Sequence, residues 1–402
     1  MTAITSEINA PVDLLDGDMY KAGAWPVYEW LRANDPVHWD PVNELWGITK
    51  FDDIVEIEKA KHVFISSDTK KGGYRPNLPA DPSIIGLDDP VHTQRRKLVN
   101  RGFTPKTVLA WEDHIHQTIT SLLDAAQAKG PSSRIEVITE LAAPLPAQMI
   151  GLLLGYPNEM WPKLKEWSER TIVGGGGPRY ATDDVIFAAF EFAGACAELY
   201  EEKQRCPADD IMTVWTTAEI GGEPIGLDPV ISDCLLLLDG GAETTRTVIG
   251  RTILELAARP EQWQLLKDGA DMEVATEEFI RWVTPVLNMC RVATRDYELR
   301  GKTIRAGDQV VLMYPSANRD EEHFENPEVY DVTRNPNHHI AFGFGTHFCL
   351  GAALARLEIK TFFEHFVRRV DQVQVVPGSV DFLANAFVAG LNRAEVELEF
   401  VQ

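Results

Sequence analysis

The chain has 402 residues, of which 45% are hydrophobic and 25% are charged, proportions that are ordinary for a folded globular protein. Its formal net charge of −23 argues against a nucleic-acid partner, because phosphate binding requires a basic surface. No segment approaches the roughly 20 uninterrupted apolar residues of a membrane helix, so none is expected to span a bilayer.

The cysteines and the N-terminal sequence indicate the compartment. Five cysteines, an odd number without a CxxC pair, fit neither a disulfide framework nor a structural zinc site. Unpaired cysteines suit a reducing environment. The N-terminal sequence MTAITSEINAPVDLLDGDMY lacks the basic and apolar regions of a secretory signal. We therefore expect a cytoplasmic protein, and, because no linker interrupts the sequence, a single domain over residues 1–402.

Hydrophobic periodicity predicts a mainly α-helical protein with a minor β region. In chain order, helices are predicted over 24–33, 51–60, 92–101, 105–129, 139–154, 158–172, 182–205, 228–258, 261–267, 271–283 and 350–369. An N-terminal hairpin is predicted from 37–40 and 45–49, and a small sheet from 291–294, 297–299, 302–304 and 309–313. Residues 66–90, rich in proline and glycine, are expected to form a long functional loop.

Four consecutive glycines, Gly174–Gly177, separate two of the predicted helices. No Gly-Lys-Ser/Thr follows them, so they do not form a phosphate-binding loop. We interpret them as a flexible hinge of a lid.

One cysteine, Cys349, lies at the predicted start of the last helix. The glycines that precede it permit a tight turn. The macrodipole and the free amides of a helix N-terminus stabilise a thiolate there, which suits a haem iron. Gly351 would let a flat macrocycle approach closely. On this cysteine alone, a buried structural cysteine is equally consistent.

The long helix over 228–258 contains weak helix formers at its centre. Asp228 is a suitable N-cap and Pro229 suits the first helical position. In the central segment Gly240-Gly241-Ala242-Glu243-Thr244-Thr245, the two glycines and the two threonines are unfavourable in a helix interior. They indicate either a close helix–helix crossing or a groove that admits a diatomic ligand. In the second case Thr244 would hydrogen-bond the ligand and Glu243 would relay protons.

These segments together resemble the cytochrome P450 family. Phe342, Gly345, His347, Cys349 and Gly351 match its haem-binding loop, F-x-x-G-x-H-x-C-x-G. The Gly240–Thr245 segment is similar to the family's oxygen-activation motif. Glu278-Phe279-Ile280-Arg281 is similar to its E-x-x-R signature, for which Arg334 would be the third partner, although such a pair alone would ordinarily be a surface ion pair.

The resemblance implies a role for each matched residue. The fold would be that of the family, a helical prism whose long kinked helix crosses the haem. Cys349 would be the metal ligand of haem b, and Glu243 and Thr244 would be catalytic. The remaining cofactor-binding residues would be His92, Arg96, Arg291 and His347, as ligands of the propionates, together with Gly240, Phe342 and Gly351.

The resemblance is closest to the actinobacterial steroid-oxidising branch of the family. It is carried by Asp13–Gly17, Arg95–Asn100, Leu141–Pro146, Asn288–Arg291, Asn335–Asn337 and Ala341–Gly351. It implies a monooxygenase that transfers one oxygen atom from O₂ to the terminal side-chain carbon of cholesterol or cholest-4-en-3-one. A ferredoxin and its NAD(P)H-dependent reductase would supply electrons, because the chain has no flavin, iron–sulfur or dinucleotide segment.

Alternatives remain at this point. The substrate could be another lipid or a secondary metabolite. The chain could be a haem-thiolate peroxygenase that uses H₂O₂, although such an enzyme has little use for Glu243 and Thr244. It could also be a haem sensor or electron carrier.

Two further predictions concern surfaces. A basic run without an acid is expected to receive an acidic ferredoxin, together with Arg356 or Lys360; it comprises Arg95, Arg96, Lys97, Arg101 and Lys106. The substrate pocket is expected to have a wall nearly free of charge, formed by Ile84–Leu87, Leu235, Leu238, Val286–Leu287 and Phe387–Val388.

Overall fold

The computed structural model describes residues 12–79 and 81–401. Residues 1–11, which belong to the segment predicted to lack a secretory signal, lie outside the described residues. The helices, in chain order, are α1 (Gly17–Ala22), α2 (Trp25–Asn34), α3 (Phe51–Lys59), α4 (Val91–Asn100), α5 (Pro105–Leu109), α6 (Glu112–Gln127), α7 (Pro144–Leu154), α8 (Trp161–Thr171), α9 (Asp183–Arg205), α10 (Ile211–Thr216), α11 (Leu227–Ala257), α12 (Pro260–Lys267), α13 (Met272–Val283), α14 (Tyr314–Ala317) and α15 (Ala352–Arg369).

The strands are short and form a minor part of the fold. They are β1 (Val37–Asp40), β2 (Leu45–Ile48), β3 (Phe64–Ile65), β4 (Ser132–Glu136), β5 (Glu219–Ile220), β6 (Glu223–Pro224), β7 (Met289–Ala293), β8 (Tyr297–Leu299), β9 (Lys302–Ile304), β10 (Gln309–Leu312), β11 (Val370–Val375), β12 (Asp381–Phe382), β13 (Leu391–Arg393) and β14 (Glu395–Phe400). The prediction of a mainly α-helical protein with a minor β region is confirmed.

The largest sheet joins distant parts of the chain in the order β1-β2-β10-β7-β3. The prediction of one local sheet from residues 291–313 is wrong, because β8 and β9 form a separate hairpin. Strand β10 pairs with β7 on one side and, in parallel, with β2 of the N-terminal hairpin on the other. Arg291 therefore lies on an interior strand, opposite Val310.

Several predicted helices are interrupted. The helix expected over 105–129 is divided between α5 and α6, and the helix expected over 139–154 starts with a π turn, Ile138–Ala142, before α7. Helix α10 and strands β4, β11 and β14 were not predicted. Within residues 12–79 and 81–401, none of the helices has the length and apolar composition needed to cross a bilayer.

Helix α11 is continuous over 31 residues, or about 46 Å. It begins at Leu227, after Gly226 with φ 82°, and the predicted N-cap Asp228 is already helical. Its central glycines serve different purposes. A Cβ atom at Gly241 would lie 2.9 Å from Ile150 of α7, whereas one at Gly240 would meet no atom within 4 Å. The helix crossing requires Gly241, and an open groove begins at Gly240.

The glycine run Gly174–Gly177 packs tightly, which differs from the predicted flexible hinge. Its first three glycines are buried at the end of a 3₁₀ turn, Ile172–Gly176. A Cβ atom at Gly175 would lie 2.3 Å from the ring of Phe387, and one at Gly176 would lie 2.6 Å from Tyr180. Two aromatic side chains therefore occupy the space that larger residues would need.

The E-x-x-R pair of α13 is an interior scaffold. Glu278 and Arg281 are fully buried, with Arg281 Nε 2.7 Å from Glu278 Oε2, so the surface ion-pair interpretation is wrong. Arg334 Nε lies 3.2 Å from the same carboxylate, as predicted. Arg281 also donates to the carbonyl of Asn318 (2.8 Å), whose side chain accepts from the N–H of Ile340 (2.8 Å). The cluster thus fixes the segment that leads to Cys349.

Candidate active site

A cavity of about 660 Å³ lies between α11 and the loop that carries Cys349. Nine of the ten predicted site residues line it, namely His92, Arg96, Gly240, Thr244, Arg291, Phe342, His347, Cys349 and Gly351. The exception is Glu243. Residues separated by up to 259 positions in the chain therefore meet in one space, as the motifs predict.

The loop before Cys349 is a tight turn that depends on two glycines. Gly343 and Gly345 have φ values of 72° and 69°, a region that favours glycine. The turn is closed by the N–H of Cys349, which donates to the carbonyl of Phe342 (2.9 Å). Helix α15 begins at Ala352, three residues beyond the cysteine, so Cys349 precedes the helix start rather than occupying it.

Cys349 is partly buried, so a thiolate at this position needs a positive charge nearby. Burial raises the pKa of the Cys349 thiol, while the N–H of Gly351 and the charges of Arg96 and Arg356 oppose that rise. Arg96 also holds the loop, because its guanidinium donates to the carbonyls of Thr346 (3.3 Å) and Phe348. A metal ion in contact with the sulfur would deprotonate it.

Two histidines and two arginines converge beside the cysteine. The rings of His92 and His347 lie 4.3 Å apart. Both ring nitrogens of His92 and Nδ1 of His347 are buried without a hydrogen-bond partner among the described residues. Burial, followed by the charges of Arg291, His92 and Arg96, lowers the pKa of His347 to about 2. This cluster of donors suits an anionic group, because buried polar groups are normally paired.

Sequence reasoning missed the residues that position Arg291. The Glu58 carboxylate accepts from Arg291 at 3.0 Å through each of its oxygens, and the hydroxyl of Tyr314 donates to it at 3.0 Å. Both residues line the cavity. No local signal could have identified Glu58, because it lies 233 residues before Arg291.

These features fit the haem that the motifs imply. Cys349 offers a sulfur ligand, and the cluster of His92, Arg96, Arg291 and His347 offers donors for two propionates. A Cβ atom at Gly351 or Gly240 would meet no protein atom within 4 Å, so both positions leave room for a macrocycle. The guanidinium of Arg356 lies 4.5 Å from the centre of the Phe342 ring and packs over that ring.

The predicted catalytic pair is divided between the cavity and the interior behind it. The Thr244 hydroxyl donates to the carbonyl of Gly240 (2.6 Å) and lines the cavity. Glu243 is buried away from the cavity, with Oε2 2.7 Å from Arg246. Burial raises the pKa of Glu243 to about 7 despite the opposing charge of Arg246. Glu243 can therefore hold a proton near neutral pH, one residue before Thr244 in the chain.

The cavity wall is less apolar than predicted. Ile84, Ile85, Leu235, Val286 and Phe387 line it as expected, whereas Leu238 and Val388 pack in the core. Outside the predicted wall segments, four further charged side chains, all missed in the sequence, line the cavity: Arg75, Asp81, Asp239 and Glu358.

The predicted basic run is not a single exposed surface. Arg95 is buried and forms an ion pair with Asp233, and Arg96 faces the cavity. Lys97, Arg101 and Lys106 remain exposed. Arg356 and Lys360 are each already paired, with Glu277 and Glu364.

Comparison with known proteins agrees with this site. A family model described as Cytochrome P450 matches residues 266–381. The chain is similar to a steroid C26-monooxygenase of Mycobacterium tuberculosis, with 38% identity over 397 residues that cover 96% of each chain. It is also similar to linalool 8-monooxygenase of Pseudomonas putida, with 33% identity over 96% of this chain and 98% of that protein.

Solved structures share the fold. CYP109E1 from Bacillus megaterium in complex with testosterone is similar with a TM-score of 0.85 and 31% identity, over 94% of this chain and 98% of that one. Mycobacterium marinum cytochrome P450 CYP268A2 in complex with pseudoionone has a TM-score of 0.87 and 29% identity, over 98% of this chain and 99% of that one.

The chain therefore belongs to the cytochrome P450 family. Its fold is that of the family, and it is a haem-dependent monooxygenase, an oxidoreductase.

Proposed function

We propose that this enzyme is a haem b thiolate monooxygenase that transfers one oxygen atom from O₂ to the terminal side-chain carbon of cholesterol or cholest-4-en-3-one. The observation that carries the proposal is the single cavity shared by the Cys349 sulfur, the four propionate donors and the Thr244 hydroxyl. The proposed enzyme forms one domain. It acts in the cytoplasm, since its five cysteines are free thiols, which suit a reducing compartment.

The protein would hold the cofactor through three groups of residues. Cys349 would ligate the iron as a thiolate. His92, Arg96, Arg291 and His347 would bind the propionates, while Phe342, Gly240 and Gly351 would leave room for the macrocycle. When bound, haem supplies the activation of O₂ and the transfer of oxygen to carbon.

The residues of α11 manage protons. The Thr244 hydroxyl donates to the Gly240 carbonyl and can exchange this partner for a ligand in the groove that begins at Gly240. Glu243, whose pKa lies near neutrality, takes up a proton from the side of Arg246 and Glu169. Delivery from Glu243 to the cavity requires its carboxyl to turn from Arg246 toward Thr244.

The substrate proposal rests on the similar steroid C26-monooxygenases and on the apolar part of the cavity. A sterol buries several hundred Å² of apolar surface, which contributes on the order of 10 kcal/mol before association costs. A terminal methyl has a stronger C–H bond than its neighbours, so selectivity for it must come from the shape of the cavity. The cavity would admit the tip of the side chain toward the iron and hold the sterol rings near the mouth.

The electron donor is proposed to be a ferredoxin with an NAD(P)H-dependent reductase. Its docking surface comprises the exposed Lys97, Arg101 and Lys106 with the exposed apolar residues Leu109 and Phe348. Phe348 directly precedes Cys349, so this surface lies on the cysteine side of the cofactor. An acidic partner would complement its charge.

A second candidate substrate is a terpenoid alcohol, because linalool 8-monooxygenase is also similar over nearly the whole chain. A peroxygenase activity is less well supported, since Glu243 and Thr244 are both present. An electron carrier would require a second axial ligand, and none of the cavity-lining residues of α11, a helix that the structure describes in full, is His, Met, Lys or Cys.

Spectral titration followed by product analysis tests the substrate proposal. Cholest-4-en-3-one should convert the ferric haem from low spin to high spin, and the reconstituted enzyme should place oxygen on the terminal carbon. A clear shift with fatty acids, a macrolide or linalool but none with cholesterol or cholest-4-en-3-one would reject a steroid substrate without affecting the haem-thiolate assignment.

A further inference from the structure

One carboxyl group in the substrate cavity is not used by the proposed chemistry. Asp239 lies on α11, directly before Gly240, and lines the cavity. Thr171, at the end of α8, also lines the cavity, and its Oγ1 lies 2.8 Å from Asp239 Oδ1. Among the described residues Oδ2, the second carboxyl oxygen, forms no hydrogen bond, although the Ser168 hydroxyl, which is buried without a partner, lies near enough to this carboxyl to lower its pKa.

The contacts of Thr171 favour a neutral carboxyl. The Thr171 hydroxyl has one proton, and its oxygen also lies 2.8 Å from the carbonyl of Trp167. An ionised Asp239 would compete with that carbonyl for the proton. A neutral Asp239 can instead donate to Thr171 while Thr171 donates to Trp167. Burial also raises the pKa of Asp239 well above its usual range.

The other charged residues near Asp239 are already matched. Arg75 forms an ion pair with Asp81 (2.8 Å), and Asp81 accepts in addition from the N–H of Ser83 (2.9 Å). Glu243, whose charge also raises the pKa of Asp239, is held by Arg246. Asp239 Oδ2 is thus left to interact with a ligand in the cavity.

We infer that Asp239 is a specificity-determining residue that hydrogen-bonds a neutral hydroxyl or oxo group of the substrate, close to the carbon that is oxidised. A neutral carboxyl serves both kinds of group, because Oδ2 accepts from a hydroxyl when the proton lies on Oδ1 and donates to an oxo group when it carries the proton.

The position on α11 determines which part of the substrate is recognised. Asp239 precedes Thr244 by five residues, about 7.5 Å along the helix axis. A group that reaches Asp239 therefore lies within a few atoms of the reacting carbon, if Thr244 marks the oxygen site. The inference rests on the proposed function and adds to it: within the steroid class, a sterol whose side chain already carries an oxygen should bind more tightly than cholest-4-en-3-one.

The test compares the binding affinities of two ligands for three proteins at equilibrium. The ligands are cholest-4-en-3-one and 25-hydroxycholest-4-en-3-one, which differ by one hydroxyl near the terminal carbon. The proteins are the wild type, Asp239→Leu and Asp239→Asn, each titrated as the ferric holoenzyme by its spin-state spectrum. No reductant is present, so proton delivery during turnover does not enter the result.

The wild type should bind the hydroxylated sterol roughly tenfold more tightly than its parent, in keeping with one buried hydrogen bond. Asp239→Leu should remove or reverse that preference, and Asp239→Asn, which still hydrogen-bonds but cannot ionise, should keep it. Ser232→Ala, another cavity-lining polar residue of α11, is the matched control and should leave the preference unchanged.

An unchanged preference in Asp239→Leu would overturn the inference. Loss of the preference in Asp239→Asn as well would show that a charged rather than a neutral carboxyl is required, which also contradicts it. If neither sterol binds to the wild type, the steroid proposal fails; the same cycle with linalool and its dehydroxylated hydrocarbon then decides the role of Asp239.

Discussion

Individual residues of the site have roles that follow from their positions in the cavity wall. Thr244 faces the cavity, and its one hydrogen bond within the described part of the chain is to the carbonyl of Gly240, four residues earlier, a contact that a ligand can replace. Glu243 is separated from the cavity, and its carboxyl is held by Arg246. The two residues are adjacent in sequence but belong to different surroundings, so each can be tested by a different measurement.

Thr244→Ala should leave haem content and substrate binding nearly intact while it lowers the product formed per NADPH consumed and raises H₂O₂ release. Positioned proton transfer is typically worth roughly 10²–10⁴-fold, and a water molecule that entered the groove would replace part of that. Thr252, buried on the same helix away from the cavity, gives the control Thr252→Ala, which should not change coupling. Equal coupling in the wild type and Thr244→Ala would remove the threonine from the mechanism.

The pKa of Glu243 predicts that the product formed per NADPH depends on pH. Burial raises its pKa to about 7, so the carboxyl is protonated below that pH and ionised above it. Product formed per NADPH should therefore fall as the pH rises through 7 in the wild type, because the proton donor is lost. Glu243→Gln does not titrate, so its lower coupling should be flat over the same range. A parallel pH profile for both proteins would contradict the relay role.

Local patterns predicted the residues of the site but not their charge partners. His92, Arg96, Thr244 and Cys349 were predicted because each belongs to a motif with fixed spacing, and Arg291 was predicted from its place at the start of a strand. The contacts of Glu58 with Arg291 and of Asp233 with Arg95 span 233 and 138 residues, and only the tertiary fold brings those groups together. The basic run was therefore expected to be more exposed than it is.

At the level of elements, strong helical periodicity predicted the long helices, whereas the pairing of the strands could not be predicted. Helices α11, α13 and α15 carry amphipathic patterns long enough to be predicted within a few residues of their bounds. Strand β10 pairs with β2, more than 250 residues earlier, and no local pattern specifies such a partner. The tight packing of Gly175 on Phe387 could not be predicted for the same reason.

The buried cluster of α13 is expected to be sensitive to the loss of one partner. Glu278→Gln leaves Arg281 with its charge buried and unpaired, which costs about 3–5 kcal/mol of the free energy of unfolding. Urea denaturation of the holoenzyme should show this loss together with weaker haem retention. Lys21→Met, which breaks an exposed ion pair with Asp381, is the control and should change stability far less. Comparable losses in both variants would argue against a scaffold role for Glu278.

Over the whole molecule, the net charge of −23 makes the proposed docking surface unusual. Lys97, Arg101 and Lys106 are exposed on a strongly acidic protein, and so is Phe348, which directly precedes the proposed ligand Cys349. Long-range attraction of an acidic ferredoxin to this surface would be opposed by the charge of the remainder of the molecule. The association should therefore depend on a few side chains and on ionic strength.

The rate of first-electron transfer from an acidic ferredoxin should fall as salt rises, because exposed charges are screened beyond about 10 Å at 0.1 M. Lys97→Glu should slow the transfer at low salt and reduce its salt dependence. Lys21→Glu, a charge change on α1 outside the docking surface, should have a much smaller effect. A rate that does not respond to salt in the wild type would reject electrostatic docking at this surface.

The central claim, that Cys349 binds haem as a thiolate in this cavity, is tested by the spectrum of the reduced carbon monoxide complex. The wild type and the control Cys290→Ala should show the red-shifted Soret band of a thiolate-ligated haem. Cys349→His, which can retain haem through another ligand, should lose that band, with haem content measured separately to exclude a trivial loss of cofactor. Survival of the red-shifted band in Cys349→His would contradict the assignment of the ligand and the account built on it.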